Sequence, residues 1–118
     1  MAADRMDYPT DEEMRAARQV AEPYTVVILS KTAKHAEDGA DAIIWEHARR
    51  NFALRARGEL VVVCPIRDES VVAGIGIFAG EPDEVREIME GDPAVRAGIL
   101  SYEIHLTRTF PGDALPFR

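Results

Sequence analysis

Imidazole is the side chain whose unperturbed pKa lies nearest neutrality. A carboxylate held against one ring nitrogen fixes the tautomer and stabilises the protonated ring, so a His–Asp pair can take up a proton and return it. This chain offers His47, on a predicted helix, and Asp92, which precedes Pro93 at a predicted helix start. Each has a structural alternative. His47 falls on the flank of its helix's apolar stripe, beside Ile43 and Leu54, where a histidine can simply hydrogen-bond to backbone. Asp92 before Pro93 is a well-formed N-cap. The two roles of Asp92 are compatible, since one oxygen can cap while the other faces His47.

Four further residues are candidates for contact with a substrate. Glu103 and His105 share the polar face of the last predicted strand, where they would line a pocket or else face solvent. Ser70, with Arg67 shortly before it, sits in a turn and could hold a hydroxyl or a carboxylate, although turn composition alone explains both. No metal site is expected: no two of His35, His47 and His105 stand at helical i, i+3 or i+4 spacing, and Cys64 has no cysteine partner. No cofactor is expected either. Gly74-Ile75-Gly76 lies inside a strand without the following glycine and helix of a dinucleotide loop, and reads as a place where a backbone or ligand approaches closely. Cys64, among apolar neighbours, reads as a buried strand residue.

The elements that must position these groups follow from the hydrophobic pattern. Thr10-Asp11-Glu12-Glu13 starts a capped helix within a polar extension, residues 1–22. Tyr24 to Leu29 is a strand of β-branched, aromatic and aliphatic residues. A polar connection containing His35 leads to a helix from about Asp41 to Arg57, ended by Gly58. At about 100° per residue, Ile44, Trp45, Ala48, Phe52 and Ala56 share one face and form its expected core stripe, with Trp45 and Phe52 as packing residues. Leu60 to Cys64, closed by Pro65, and Val71 to Phe78 form a hairpin. Pro82 opens a second helix ended by Gly91, a short turn follows Asp92, and the strand from Ile99 to Thr107 alternates with Tyr102, Ile104 and Leu106 on its apolar side. Residues 109–118 form an irregular tail or edge extension.

The order β-α-β-β-α-β over residues 23–108 predicts an α+β, ferredoxin-like fold, a four-stranded antiparallel sheet with two helices on one face. Both side-chain sets of the first strand are largely apolar, so the second face needs a cover, and a second copy of the chain is the simplest one. A homodimer is expected. The 118 residues, 47% hydrophobic, suit one domain. A net charge of −7 disfavours nucleic acid and anionic lipid as partners, and no apolar run approaches a membrane span. One cysteine and no export signal point to the cytoplasm.

With the elements in order, Tyr24 to about Arg108 resembles a YciI-like (YCII-related) domain. The resemblance rests on His47 in the first helix, Gly58-Glu59-Leu60 with Pro65, and Gly91-Asp92-Pro93-Ala94-Val95-Arg96-Ala97-Gly98. It implies a dimeric α/β barrel form of the ferredoxin-like fold, with a pocket near the sheet and His47 and Asp92 as the catalytic pair. It also implies a lyase or isomerase-like reaction on a small polar or aromatic metabolite. The chain departs from the family pattern at Ile44 and Trp45, where many relatives carry Arg and Pro, at Cys64 for Gly, and at Ala94 for an aromatic residue. These changes remake the pocket wall and leave open a second class of function, a non-catalytic dimeric module that binds a small ligand or a protein.

Overall fold

Residues Glu22–Lys31 alternate, from Tyr24 on, between half-exposed and buried positions, and Thr25, Val27 and Leu29 form the buried set. That is the pattern of a strand covered on one face. In the computed structural model, which describes residues 5–116, this strand is β1. It follows α1 (Asp11–Gln19) and precedes a 3-10 turn (Ala33–Ala36), α2 (Ala40–Ala56), β2 (Leu60–Pro65), β3 (Val72–Phe78), α3 (Pro82–Glu90), α4 (Pro93–Arg96) and β4 (Leu100–Thr109). The four strands form one sheet in the order β2-β3-β1-β4, and the fold is α+β with an antiparallel sheet of ferredoxin-like order. The expected hairpin is present as β2 and β3.

The chain divides into two units. The smaller comprises the described parts of Met1–Glu22 and Arg108–Arg118. In it, Thr10 and Glu13 close a reciprocal capping box on α1, a helix with no buried residue. The larger, Pro23–Thr107, holds the sheet, α2, α3 and α4.

Register decides which side chains meet. Thr25 pairs with Phe78, Val27 with Gly76 and Leu29 with Gly74 on the face that packs against the helices. Val26 opposite Ile77 and Ile28 opposite Ile75 face the other way, joined by Val62 across from Ile77. The covered face meets Val85 and Met89 of α3, Leu54 of α2, Ala94 of α4 and Leu100 in a single core. Thr25, fully buried, donates its hydroxyl to the Gly80 carbonyl at 2.8 Å, so its burial leaves no polar group unpaired. The Tyr102 hydroxyl donates to the Glu90 carboxylate, which ties β4 to the end of α3 and raises the Tyr102 pKa, chiefly through that hydrogen bond.

Two expectations about side chains fail. The buried face of α2 carries Ala40, His47 and Leu54, which recur every seven residues and so lie along one side, with Ile43 and Ile44 partly buried between them. Trp45 and Phe52 are 66% and 62% exposed. Apolar residues lie on more than one side of this helix, so their spacing does not single out a face, and the packing is set by the smaller aliphatic side chains. Cys64 is exposed rather than buried, because β2 is the edge strand of the sheet and its end carries little cover. No helix among the described residues is long and apolar enough to cross a membrane.

Candidate active site

Asp92 is where the site begins. Its backbone is extended, Pro93 occupies the first turn of α4, and Oδ2 accepts hydrogen bonds from the amides of Ala94 at 3.0 Å and Val95 at 3.1 Å. Capping directs the second oxygen, Oδ1, to Nδ1 of His47 at 2.7 Å. Asp92 is 1% exposed and His47 9%. Both candidate roles of Asp92 are therefore filled at once, by different oxygens.

Burial would push the Asp92 carboxyl upward. The hydrogen bond from His47, the charge of that ring and the two amides of α4 outweigh it, and the carboxyl lies below its usual range. An ionised carboxylate only accepts, so Nδ1 carries a proton and, in the neutral ring, Nε2 is the acceptor. Asn51, one turn along α2, places Nδ2 at 3.2 Å from that nitrogen. Arg50 lies beside the pair, with Nη1 at 3.9 Å from Asp92 Oδ1. A Cβ at Gly91 would lie 2.9 Å from Arg50 Nη2, so the missing side chain gives Arg50 its path.

The support for this pair is built from the backbone. Thr32, at the end of β1, donates its hydroxyl to the Gly98 carbonyl at 2.6 Å and its amide to Ile99, while the Ile99 amide bonds to Ala94. Gly98, at φ +74°, makes the reversal between α4 and β4 that these bonds require. Asp92 is thus fixed from the strand side as well as by its own cap.

A cleft of about 590 Å³ lies between α2 and the covered face of the sheet, and His47 and Asn51 are in its wall. Gly74 and Gly76 explain why it is open. They occupy the two inward positions of β3 before Phe78, where a side chain would project toward α2. Neither has positive φ, so space rather than backbone conformation accounts for glycine at both. A Cβ at Gly76 would sit 3.1 Å from Leu60 Cδ1.

The remaining expected site residues lie elsewhere. Ser70 and Arg67 are exposed in the β2–β3 connection and do not line the cleft. The Ser70 amide bonds to Asp68, and its carbonyl accepts from Lys31 Nζ. Glu103 and His105 pair with each other at 3.0 Å on exposed β4 and contribute nothing to the cleft. Their alternation was readable from the sequence, but the polar face of β4 is the one turned from the helices. Conversely, Asn51, Lys31 and Arg55 line the cleft without having been singled out as site residues, while Gly74 and Gly76, read from the sequence as a place of close approach by a backbone or ligand, line it too. Asn51 had a readable signal, its i+4 spacing from His47. His35 lines the cleft as well, and no three His, Cys, Asp or Glu side chains converge as a metal site among the described residues.

No protein-family model matches the chain, and no curated protein matches it.

Proposed function

We propose that this protein is a small-molecule acid–base enzyme of the YciI-like kind, a lyase or isomerase in which His47 moves the proton and Asp92 positions it. The observation that carries the reading is the 2.7 Å contact from His47 Nδ1 to a buried, ionised carboxylate, with His47 in the wall of a substrate-sized cleft. Nε2 accepts a proton from a substrate carbon beside a carbonyl, and Asp92 stabilises the resulting imidazolium. The ring then returns the proton to a neighbouring carbon, as in an isomerase, or to the departing group, as in a lyase.

The test is turnover by His47→Gln and Asp92→Asn, each with its fold checked by circular dichroism. His47→Gln removes the base and should lower the rate by about 10²–10⁴-fold. In Asp92→Asn the side-chain oxygen still caps α4, but the amide donates to Nδ1 and moves the ring proton to Nε2, so a comparable loss is expected with little change in fold. Wild-type rates in either folded variant would end the proposal.

A non-catalytic ligand-binding or interaction module is the second reading, favoured by the Asn51 amide that already occupies the Nε2 lone pair. In either case a homodimer through the open sheet face supplies the cover that Val26, Ile28, Val62, Ile75 and Ile77 lack within Pro23–Thr107. Light scattering at micromolar concentration that returned one chain's mass would remove the dimer. A cytoplasmic setting is consistent with a single, exposed and unpaired cysteine.

A further inference from the structure

The chain carries 21 acidic residues against 14 basic ones, and the wall of the cleft reverses that balance. Among the described residues no Asp or Glu lines it, whereas Lys31, Arg55, His35 and His47 do. Asp92 stands behind His47 and is shielded by it. None of Lys31, His35 and Arg55 is within ion-pair distance of a carboxylate among the described residues, although Asp68, which accepts from the Ser70 amide outside the cleft, feels the charge of Lys31. The rest of the wall is apolar, with Val27, Leu29, Val63 and Phe78 at its centre. A concave, mostly apolar wall with unpaired cations and no anion has a definite complement, an apolar body bearing negative charge.

Two cations compete for that charge, and their settings differ. Arg55 is exposed near the C-terminal end of α2. Lys31 is half-buried at the end of β1, and its ammonium donates to the Ser70 carbonyl at 3.2 Å. One such bond uses one of three donors, so two N–H groups remain for an anion. A charge-assisted bond made beside apolar walls is worth more than the same bond in open solvent.

We propose that the cleft binds a small organic monocarboxylic acid, its carboxylate at Lys31 and its apolar body against Val27, Leu29, Val63 and Phe78. This rests on the reading of the cleft as the site served by His47, and it names the substrate class for that site. Gly74 and Gly76 form the floor on which the body lies, and Arg55 attracts the anion without anchoring it.

Phenylacetate and hexanoate, their neutral counterparts phenylacetamide and hexanamide, and acetate are titrated into the ¹⁵N-labelled full chain and its Lys31→Gln, Arg55→Gln and His47→Gln variants. The spectra report fold and binding together. At least one of the two larger acids should bind at millimolar concentration, move the Gly74 and Gly76 amides, and exceed its amide by about tenfold in affinity. Acetate, with no body to bury, should bind more weakly. Lys31→Gln should bring acid and amide within about twofold, whereas Arg55→Gln and His47→Gln keep most of the preference. The proposal is overturned if neither larger acid binds, if the amides bind as well, if acetate matches the larger acids, or if the preference survives in Lys31→Gln. Acid selectivity that persists in a His47→Gln variant with wild-type turnover would refute the proton-transfer reading alone. Loss of turnover without acid selectivity would refute this one alone.

Discussion

The described residues contain two pairs of histidine and carboxylate with nearly the same separation and opposite settings. His47 and Asp92 meet at 2.7 Å, with side chains 11% and 1% exposed; His105 and Glu103 meet at 3.0 Å, with side chains 56% and 65% exposed. The groups are the same, and the difference lies in what holds them. Asp92 is a helix cap, receives two amides and is shut off from water, so its geometry is imposed by the fold. Glu103 and His105 sit two residues apart on one strand face, free to exchange each other for solvent. Proximity of acid and base is common; proximity enforced by independent contacts is what a proton-transfer site needs.

The largest test of that contrast is Asp92→Ala, which removes the cap and leaves His47 without its buried partner. Denaturant unfolding should show a loss of about 3–5 kcal/mol. An intermediate effect comes from pH. The folded Asp92 carboxyl lies below its unfolded value, so its contribution to stability is complete above the ordinary carboxylate range, near pH 4, and is lost as pH falls through the depressed folded value. The stability difference between wild type and Asp92→Asn, measured by urea unfolding, should stay level from neutrality down to about pH 5 and narrow below it. The smallest effect belongs to Glu103→Ala, expected within about 0.5 kcal/mol because water screens the exposed pair. A loss at Glu103 comparable to that at Asp92 would erase the distinction.

The parts of the fold readable from the sequence were those in which one physical signal acted alone. The alternation of β4 from Ser101 to His105, the Thr10 capping box and the Asp92-Pro93 helix start each depend on neighbouring residues, and each is present, whereas Leu106, expected on the apolar side with Tyr102 and Ile104, is 64% exposed. α2 shows the opposite case. Ile44, Trp45 and Phe52 look like a core stripe by hydrophobic weight, but Ala40, His47 and Leu54 are the buried residues, because apolar side chains lie on more than one side of the helix and do not single out a face. His47 is therefore at the centre of the buried face rather than on its flank. The His47–Asp92 pairing was singled out by the resemblance that matched both positions, and residue type and the cap at Asp92 were compatible with it. The cleft was not, since it depends on which face of β3 carries Gly74 and Gly76 and on what lies across from them. The same holds for Lys31 and Arg55, which converge on it from a strand end and a helix end.

The divided use of the Asp92 carboxylate bears on how this position can drift over generations. Serine or asparagine there would keep a cap for α4 and give up the negative charge behind His47. Glutamate would keep the charge, but its extra methylene would carry the carboxylate past the amides of Ala94 and Val95. No single replacement serves both needs. A lineage that abandoned the chemistry could therefore exchange Asp92 for another capping residue without losing the fold, and the residue found at that one position in descendants would record which of the two demands was still in force.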